Sequence, residues 1–116
     1  MDNDNFLFNI VPYKRILVGD SAGGNLVAAL TLEYIKHQVK VPDGILLCYP
    51  ALDLNRKKFT PLFLISLEDL IVPHTFFKLC TEAYIPDYMD PSIDPFISPL
   101  IASDELLKKF PPTAIM

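Results

Sequence analysis

The residues whose types and spacing could do chemistry lie together in Gly19-Asp20-Ser21-Ala22-Gly23-Gly24-Asn25-Leu26. A serine hydroxyl is a weak nucleophile. It needs a base to take its proton, a third group to orient that base, and an oxyanion hole to receive the developing charge. A Gly-x-Ser-x-Gly turn between a strand and a helix presents such a serine: small neighbours let the chain turn sharply, and the free N–H groups of the helix lie beneath the hydroxyl. Ser21 is the candidate nucleophile, and Ala22 offers the backbone N–H that an oxyanion would need. Gly19, Asp20, Gly23 and Gly24 shape the elbow. A phosphate loop does not fit, because the lysine and Ser/Thr of G-x-x-x-x-G-K-[ST] are absent; the dinucleotide pattern G-x-G-x-x-G does not occur.

The partners that Ser21 requires are harder to find. His37 follows about four helical turns later, so the helical rise carries it roughly 24 Å away. His74 reads as a surface or cap-region residue at the start of another helix. Asp53, just after the second predicted strand, is the local candidate for the acid, with a loop hydrogen bond as the alternative. Asp87, Asp90 and Asp94 fall in a proline-rich segment and read as turn caps or solvated groups. Cys48 and Cys80 sit in apolar sequence and read as two buried free thiols, which fits a reducing compartment. Neither belongs to a metal-ligand cluster, and no cofactor is expected.

The elements that must position Ser21 are visible as apolar runs. Ile16-Leu17-Val18 forms the core of a strand over Lys14–Gly19. It does not alternate, which predicts burial on both faces, as in a parallel sheet. A helix is expected from Asn25 to about His37, with Leu26, Leu30 and Tyr34 as its buried stripe and Val27 and Ile35 beside them. Pro42-Asp43-Gly44 is a turn, and Ile45–Tyr49 is a second apolar strand stopped by Pro50. Strand, helix and strand then form a right-handed crossover unit. Ser21 stands at the carboxyl end of a strand, where open α/β sheets place ligands. Further on, Pro73 fits the first turn of a helix running to about Tyr84, with a helical turn expected before it over 66–72. Residues 85–99 form an ordered extended loop. Ser103-Asp104-Glu105-Leu106-Leu107 reads as a short capped helix, and Thr113–Met116 as a third buried strand. The lead-in over 1–12 could pack through Phe6, Phe8, Ile10 and Val11, and Arg56-Lys57-Lys58 reads as a solvated loop.

Composition limits the classes. The chain has 116 residues, is 51% hydrophobic and 21% charged, and carries a net charge of −4. That describes at most one globular domain, argues against nucleic-acid binding, and leaves no run long enough for a transmembrane segment. The polar, acidic start Met1-Asp2-Asn3-Asp4-Asn5 is no signal peptide.

Gly19–Leu26 resembles the elbow of the hormone-sensitive lipase family of α/β-hydrolases. The likeness extends to the incoming strand Lys14–Val18 and to Val41-Pro42-Asp43-Gly44-Ile45. It continues through Tyr49-Pro50-Ala51-Leu52-Asp53, Asp94–Leu100 and Phe110-Pro111-Pro112-Thr113. Over Val41–Asp53 and Ser98–Pro112 the sequence resembles the animal and protist hormone-sensitive lipases in particular. The resemblance implies central parallel strands with flanking helices and a nucleophile elbow at 19–23. It implies hydrolysis of a small-molecule or lipid carboxylic ester through an acyl-enzyme on Ser21, with Ala22 supplying one oxyanion N–H. A cytoplasmic location is expected, and the resemblance adds association with lipid droplets.

Measured against that family, residues 1–116 read as a partial domain. The upstream His-Gly-Gly oxyanion segment and the downstream acid and histidine are missing, so the chain by itself is expected to be inactive. It is also expected to be unstable alone, because its strands leave sheet edges open. The alternative reading is a non-catalytic ligand-binding protein on the same fold, like the plant gibberellin receptors.

Overall fold

The structure is a computed structural model, and it describes residues 13–55 and 70–116. The lead-in over 1–12, the basic patch Arg56-Lys57-Lys58 and most of the helical turn expected over 66–72 lie outside the described residues. Among the described residues seven elements follow in order: strand β1 (Ile16–Asp20), helix α1 (Ala22–Lys36), strand β2 (Gly44–Cys48), helix α2 (His74–Tyr84), a 3-10 turn (Pro99–Ile101), helix α3 (Asp104–Leu107) and strand β3 (Thr113–Ile115). The strands form one parallel sheet in the order β1-β2-β3. In register, Gly19 and Ile115 lie on either side of Leu47.

The α/β reading and the β1-α1-β2 unit are therefore correct, while the expected burial differs in three of the elements. First, β1 is not buried on both faces. Leu17 packs toward the core and Gly19 is buried, whereas Ile16 and Val18 are 62% and 61% exposed. Alternate residues of a strand point to opposite faces, and α1 packs on only one of them. Second, β3 forms as expected but at the sheet edge, with all three of its residues exposed.

Third, the buried stripe of α1 is rotated from the predicted one. Gly24, Asn25, Ala28, Thr31, Leu32 and Ile35 are buried, while Leu26 and Leu30 are exposed. Small residues at 24 and 28 let the helix axis come close to its neighbours, so the small-residue face turned inward and the larger leucines were left outside. Thr31 is accommodated there because its hydroxyl donates to the Val27 carbonyl at 2.8 Å.

The core divides into two clusters. Ala28, Ile45 and Leu47 join α1 to the sheet, supported by Leu17, Val27, Leu52 and Phe110. Leu54, Ile85 and Ile97 form the second, with Ala51 and Phe77 against them. Both cysteines are free, but neither is buried: Cys48 is half-buried and Cys80 exposed on α2. Pro73 stands one position before α2, as its N-cap. Ser103 caps α3 through its carbonyl, which accepts from the N–H groups of Leu106 and Leu107 at 3.0 Å each; its side chain makes no cap bond. Two aspartates of the proline-rich loop, Asp90 and Asp94, close turns. Asp90 accepts from the N–H of Ser92 at 2.8 Å, and Asp94 from that of Phe96 at 2.8 Å. Among the described residues, no helix is long and apolar enough to cross a membrane.

Candidate active site

Ser21 occupies the single residue between β1 and α1, with φ 47° and ψ −114°. A residue with a side chain held at such angles stores about 1–3 kcal/mol of backbone strain. The neighbouring contacts show what enforces it. A Cβ on Gly19 would lie 2.3 Å from the Gly23 carbonyl oxygen, and one on Gly24 would lie 2.7 Å from the Pro50 Cβ. These two positions exclude any side chain, which lets the first turn of α1 fold back against the end of β1. Gly23 is different, since a Cβ there would meet only the Asp20 Oδ1, at 3.5 Å.

The backbone of Ser21 is tied on both sides to the exit of β2. Its N–H donates to the Cys48 carbonyl at 2.9 Å, and its carbonyl accepts from Ala51 N–H at 3.1 Å and Asn25 N–H at 3.2 Å. Ala22 is the first residue of α1, so its N–H has no helical acceptor. Asp20 ends β1, and its Oδ2 accepts from the Tyr49 hydroxyl at 3.4 Å. The negative charge of Asp20 disfavours a phenolate beside it and holds the Tyr49 hydroxyl above the ordinary tyrosine range, with partial burial and this hydrogen bond adding to the shift.

Ser21 and Ala22 open onto a cavity of about 340 Å³. Leu26 lines it from α1, and Ala51 and Leu54 from the segment after β2. Phe76, Phe77, Cys80 and Tyr84 line it from α2. The wall is almost entirely hydrocarbon. A second, smaller cavity lies under Tyr84, Met89 and Phe96, and Ser21 does not border it.

The other candidate residues do not gather at Ser21. His37 caps the far end of α1, where its Nε2 lies 3.0 Å from Glu33 Oε2. His74 opens α2 and is not part of the wall of the Ser21 cavity. Asp53 accepts from Asn55 N–H at 2.9 Å, the loop hydrogen bond that was the alternative to a catalytic role.

Two buried polar side chains that the sequence pattern does not single out tie the segment after β2 to its neighbours. Asn25 is 3% exposed, and its Nδ2 donates to the carbonyls of Ala51 at 2.7 Å and Ile97 at 2.9 Å. Ser98 is fully buried, and its Oγ accepts from Leu54 N–H at 3.0 Å. The available signal was an amide side chain one position after a glycine pair, on the helix face that small residues turn inward.

Residues 2–116 match the alpha/beta hydrolase fold family. The chain belongs to that family. Within it, the relatives are hormone-sensitive lipases and esterases. Hormone-sensitive lipase of Mus musculus is 41% identical over 68 residues, which cover 59% of this chain and 9% of the relative. An esterase of Acinetobacter venetianus is 32% identical over 112 residues, covering 91% of this chain and 33% of the esterase. Among solved structures, carboxyl esterase 2 of Tuber melanosporum superimposes with a TM-score of 0.82 at 31% identity, over 93% of this chain and 35% of that one. A hormone-sensitive lipase from a metagenome library gives 0.72 at 27% identity, over 86% of this chain and 32% of that one. The chain thus spans about a third of the esterases it matches and less than a tenth of the mammalian lipase. It is an esterase- and lipase-type α/β-hydrolase sequence of the hormone-sensitive lipase family.

Proposed function

We propose that Ser21 is the nucleophile of a carboxylic ester hydrolase that works through a serine acyl-enzyme. The observation that carries this reading is the strained Ser21 backbone, held between β1 and α1 at the mouth of an apolar cavity. In this role the hydroxyl attacks the ester carbonyl, the alcohol leaves, and water releases the acid. The Ala22 N–H supplies one donor to the oxyanion. Asp20, Gly19 and Gly24 hold the turn. The hydrocarbon wall of the cavity suits an ester carrying an apolar acyl or alcohol chain, which includes acylglycerol and other lipid esters.

Neither histidine is placed to serve Ser21 as base. We therefore infer that residues 1–116 act as part of a larger catalytic domain and hydrolyse esters at no more than background rate alone. A chimera tests both statements. Residues 14–116 replace the matching segment of the Acinetobacter venetianus esterase, and hydrolysis of p-nitrophenyl butyrate is measured. The chimera is expected to be active and to lose about 10³-fold or more in kcat on Ser21→Ala. A folded chimera that is equally active with and without Ser21 sinks the nucleophile assignment. Turnover by the isolated chain that disappears on Ser21→Ala sinks the claim that it needs further parts.

A ligand-binding role without turnover uses the same cavity, whose hydrocarbon wall suits an apolar ligand. It predicts saturable binding of apolar esters with no acyl-enzyme formed in either protein, which mass spectrometry of the Ser21 peptide would register.

A further inference from the structure

Asn25 contributes more than a turn of helix. Its backbone N–H and that of Ala51 both donate to the Ser21 carbonyl, and its own side chain donates to the Ala51 carbonyl. Ser21, Asn25 and Ala51 therefore close a ring of three hydrogen bonds. The second hydrogen of the Asn25 amide reaches the Ile97 carbonyl, which brings the returning loop into the same junction. Ser98, the next residue, accepts from Leu54 N–H and fastens that loop to the segment after β2 a second time.

We propose that Asn25 is a positioning residue for Ser21, resting on the reading of Ser21 as the nucleophile. The strained angles of Ser21 need a fixed partner on its carbonyl side, and that partner is Ala51 N–H. Ala51 lies in a segment without regular structure, so no strand ladder or helix holds Ala51 itself there, and the nearest such bond is one residue on, from Leu100 N–H of the 3-10 turn to the Leu52 carbonyl at 3.0 Å. The Asn25 amide holds Ala51, by fixing the carbonyl of the same residue. Only a side chain with two donors and this reach serves both Ala51 and Ile97. Aspartate has the same shape and, ionised, no donor. Because Ala51 and Leu54 also line the cavity, the same contacts set the cavity wall relative to the serine hydroxyl.

The test is site-resolved hydrogen exchange and NMR chemical shifts on the full chain, for the wild type, Asn25→Asp, Asn25→Ser and Ser98→Ala. In Asn25→Asp the amides of Ser21 and Ala51 are expected to exchange at least tenfold faster, and the Ser21 Cα and Cβ shifts to move toward ordinary negative-φ values. The amides of Ala28 and Leu32, deeper in α1, should change less than twofold. Asn25→Ser keeps one donor, should fall between, and decides the matter if the aspartate variant does not fold. Ser98→Ala should speed exchange at Leu54 and leave the Ser21 shifts in place.

Unchanged Ser21 shifts in the Asn25 variants overturn the proposal. A uniform rise in exchange along α1 also overturns it, since that is a structural role alone, as does an equal Ser21 response to Ser98→Ala. These readouts need no turnover, so a failed hydrolysis assay counts against the nucleophile reading and leaves the placement result standing on its own.

Discussion

The two core clusters hold the site by different means. Ala28, Ile45 and Leu47 sit on a helix and a strand whose backbones are already paired by their own ladders. Leu54, Ile85 and Ile97 come from a loop, the residue after α2 and a turn. On the first side, backbone geometry decides where Ser21 stands, and a single added carbon is enough to break it. On the second, the cavity wall depends on side chains burying each other, with Asn25 and Ser98 as its polar fasteners. Errors on the first side should therefore disturb the serine turn itself, and errors on the second should loosen the cavity while the sheet survives.

The largest effect is expected at Gly19. Gly19→Ala puts a Cβ 2.3 Å from the carbonyl oxygen of Gly23, a clash between two backbone segments that no rotamer relieves. The cost should exceed about 3 kcal/mol, beyond ordinary overpacking. For a chain of marginal stability that means loss of the folded state, read as loss of the helical circular dichroism signal. A folded Gly19→Ala chain would show that the elbow can open and would remove the main contrast between the two sides.

Next is Ile97→Ala. Ile97 is 5% exposed within the second cluster, and truncation of a buried isoleucine costs about 2–5 kcal/mol. Exchange should rise first at Leu54 and Ile85, with β1 and β2 amides following only at higher urea. A simultaneous rise in both regions would mean that the clusters unfold as one unit, and the distinction between them would fail.

How far the sequence revealed each side follows from the same difference. The elbow was legible because its constraints are local: three glycines, a serine and an apolar run within ten residues define strand, turn and helix. β2, α2, α3 and β3 were likewise legible from apolar runs and prolines. What could not be read was burial, which depends on distant segments. Leu26 and Leu30 look like core residues by spacing, yet Gly24 and Ala28 bring the opposite face inward. Ile16 and Val18 look doubly buried by type, yet one face of the sheet is uncovered. The roles of Asn25 and Ser98 depend on carbonyls and N–H groups 26 to 72 residues away, and no local pattern reports those. For the same reason the helix from Pro73 to about Tyr84 is legible, but its place beside Ser21 is not.

A smaller effect separates the glycines within the elbow. Gly23 lies in α1, no glycine among the described residues has a positive φ, and a Cβ at 23 meets only the flexible Asp20 carboxylate at 3.5 Å. Gly23→Ala should therefore stabilise the chain by about 0.5–1 kcal/mol, the helix-propensity difference. The change in urea midpoint would report it. A loss of more than 1 kcal/mol would place Gly23 with Gly19 and Gly24 as a steric requirement, and the elbow would be tight throughout its length.

The smallest effect is a pair of opposite pH responses at the two ends of the paired strands. At the carboxyl end, the Asp20 charge raises the Tyr49 hydroxyl above its ordinary value. At the amino end, Asp43 accepts from Arg15 N–H at 2.8 Å, and that bond holds its carboxyl below the usual range, with partial burial opposing and nearby lysines and Arg15 assisting. A raised folded value means that the Tyr49 contribution is complete below the unfolded tyrosine value and is lost as pH rises through the folded one. A lowered folded value means that the Asp43 contribution is complete above the unfolded aspartate value and is lost as pH falls through the folded one. Both groups are at the surface, so each response is slight and screened by salt. Tyrosinate absorbance measured with and without Tyr49→Phe isolates the first titration, and Asp20→Asn should bring it back down toward the ordinary tyrosine range. A Tyr49 titration that ignores Asp20→Asn would show that the residue after β2 is not coupled to the residue before Ser21. The turn would then be held by its backbone bonds alone.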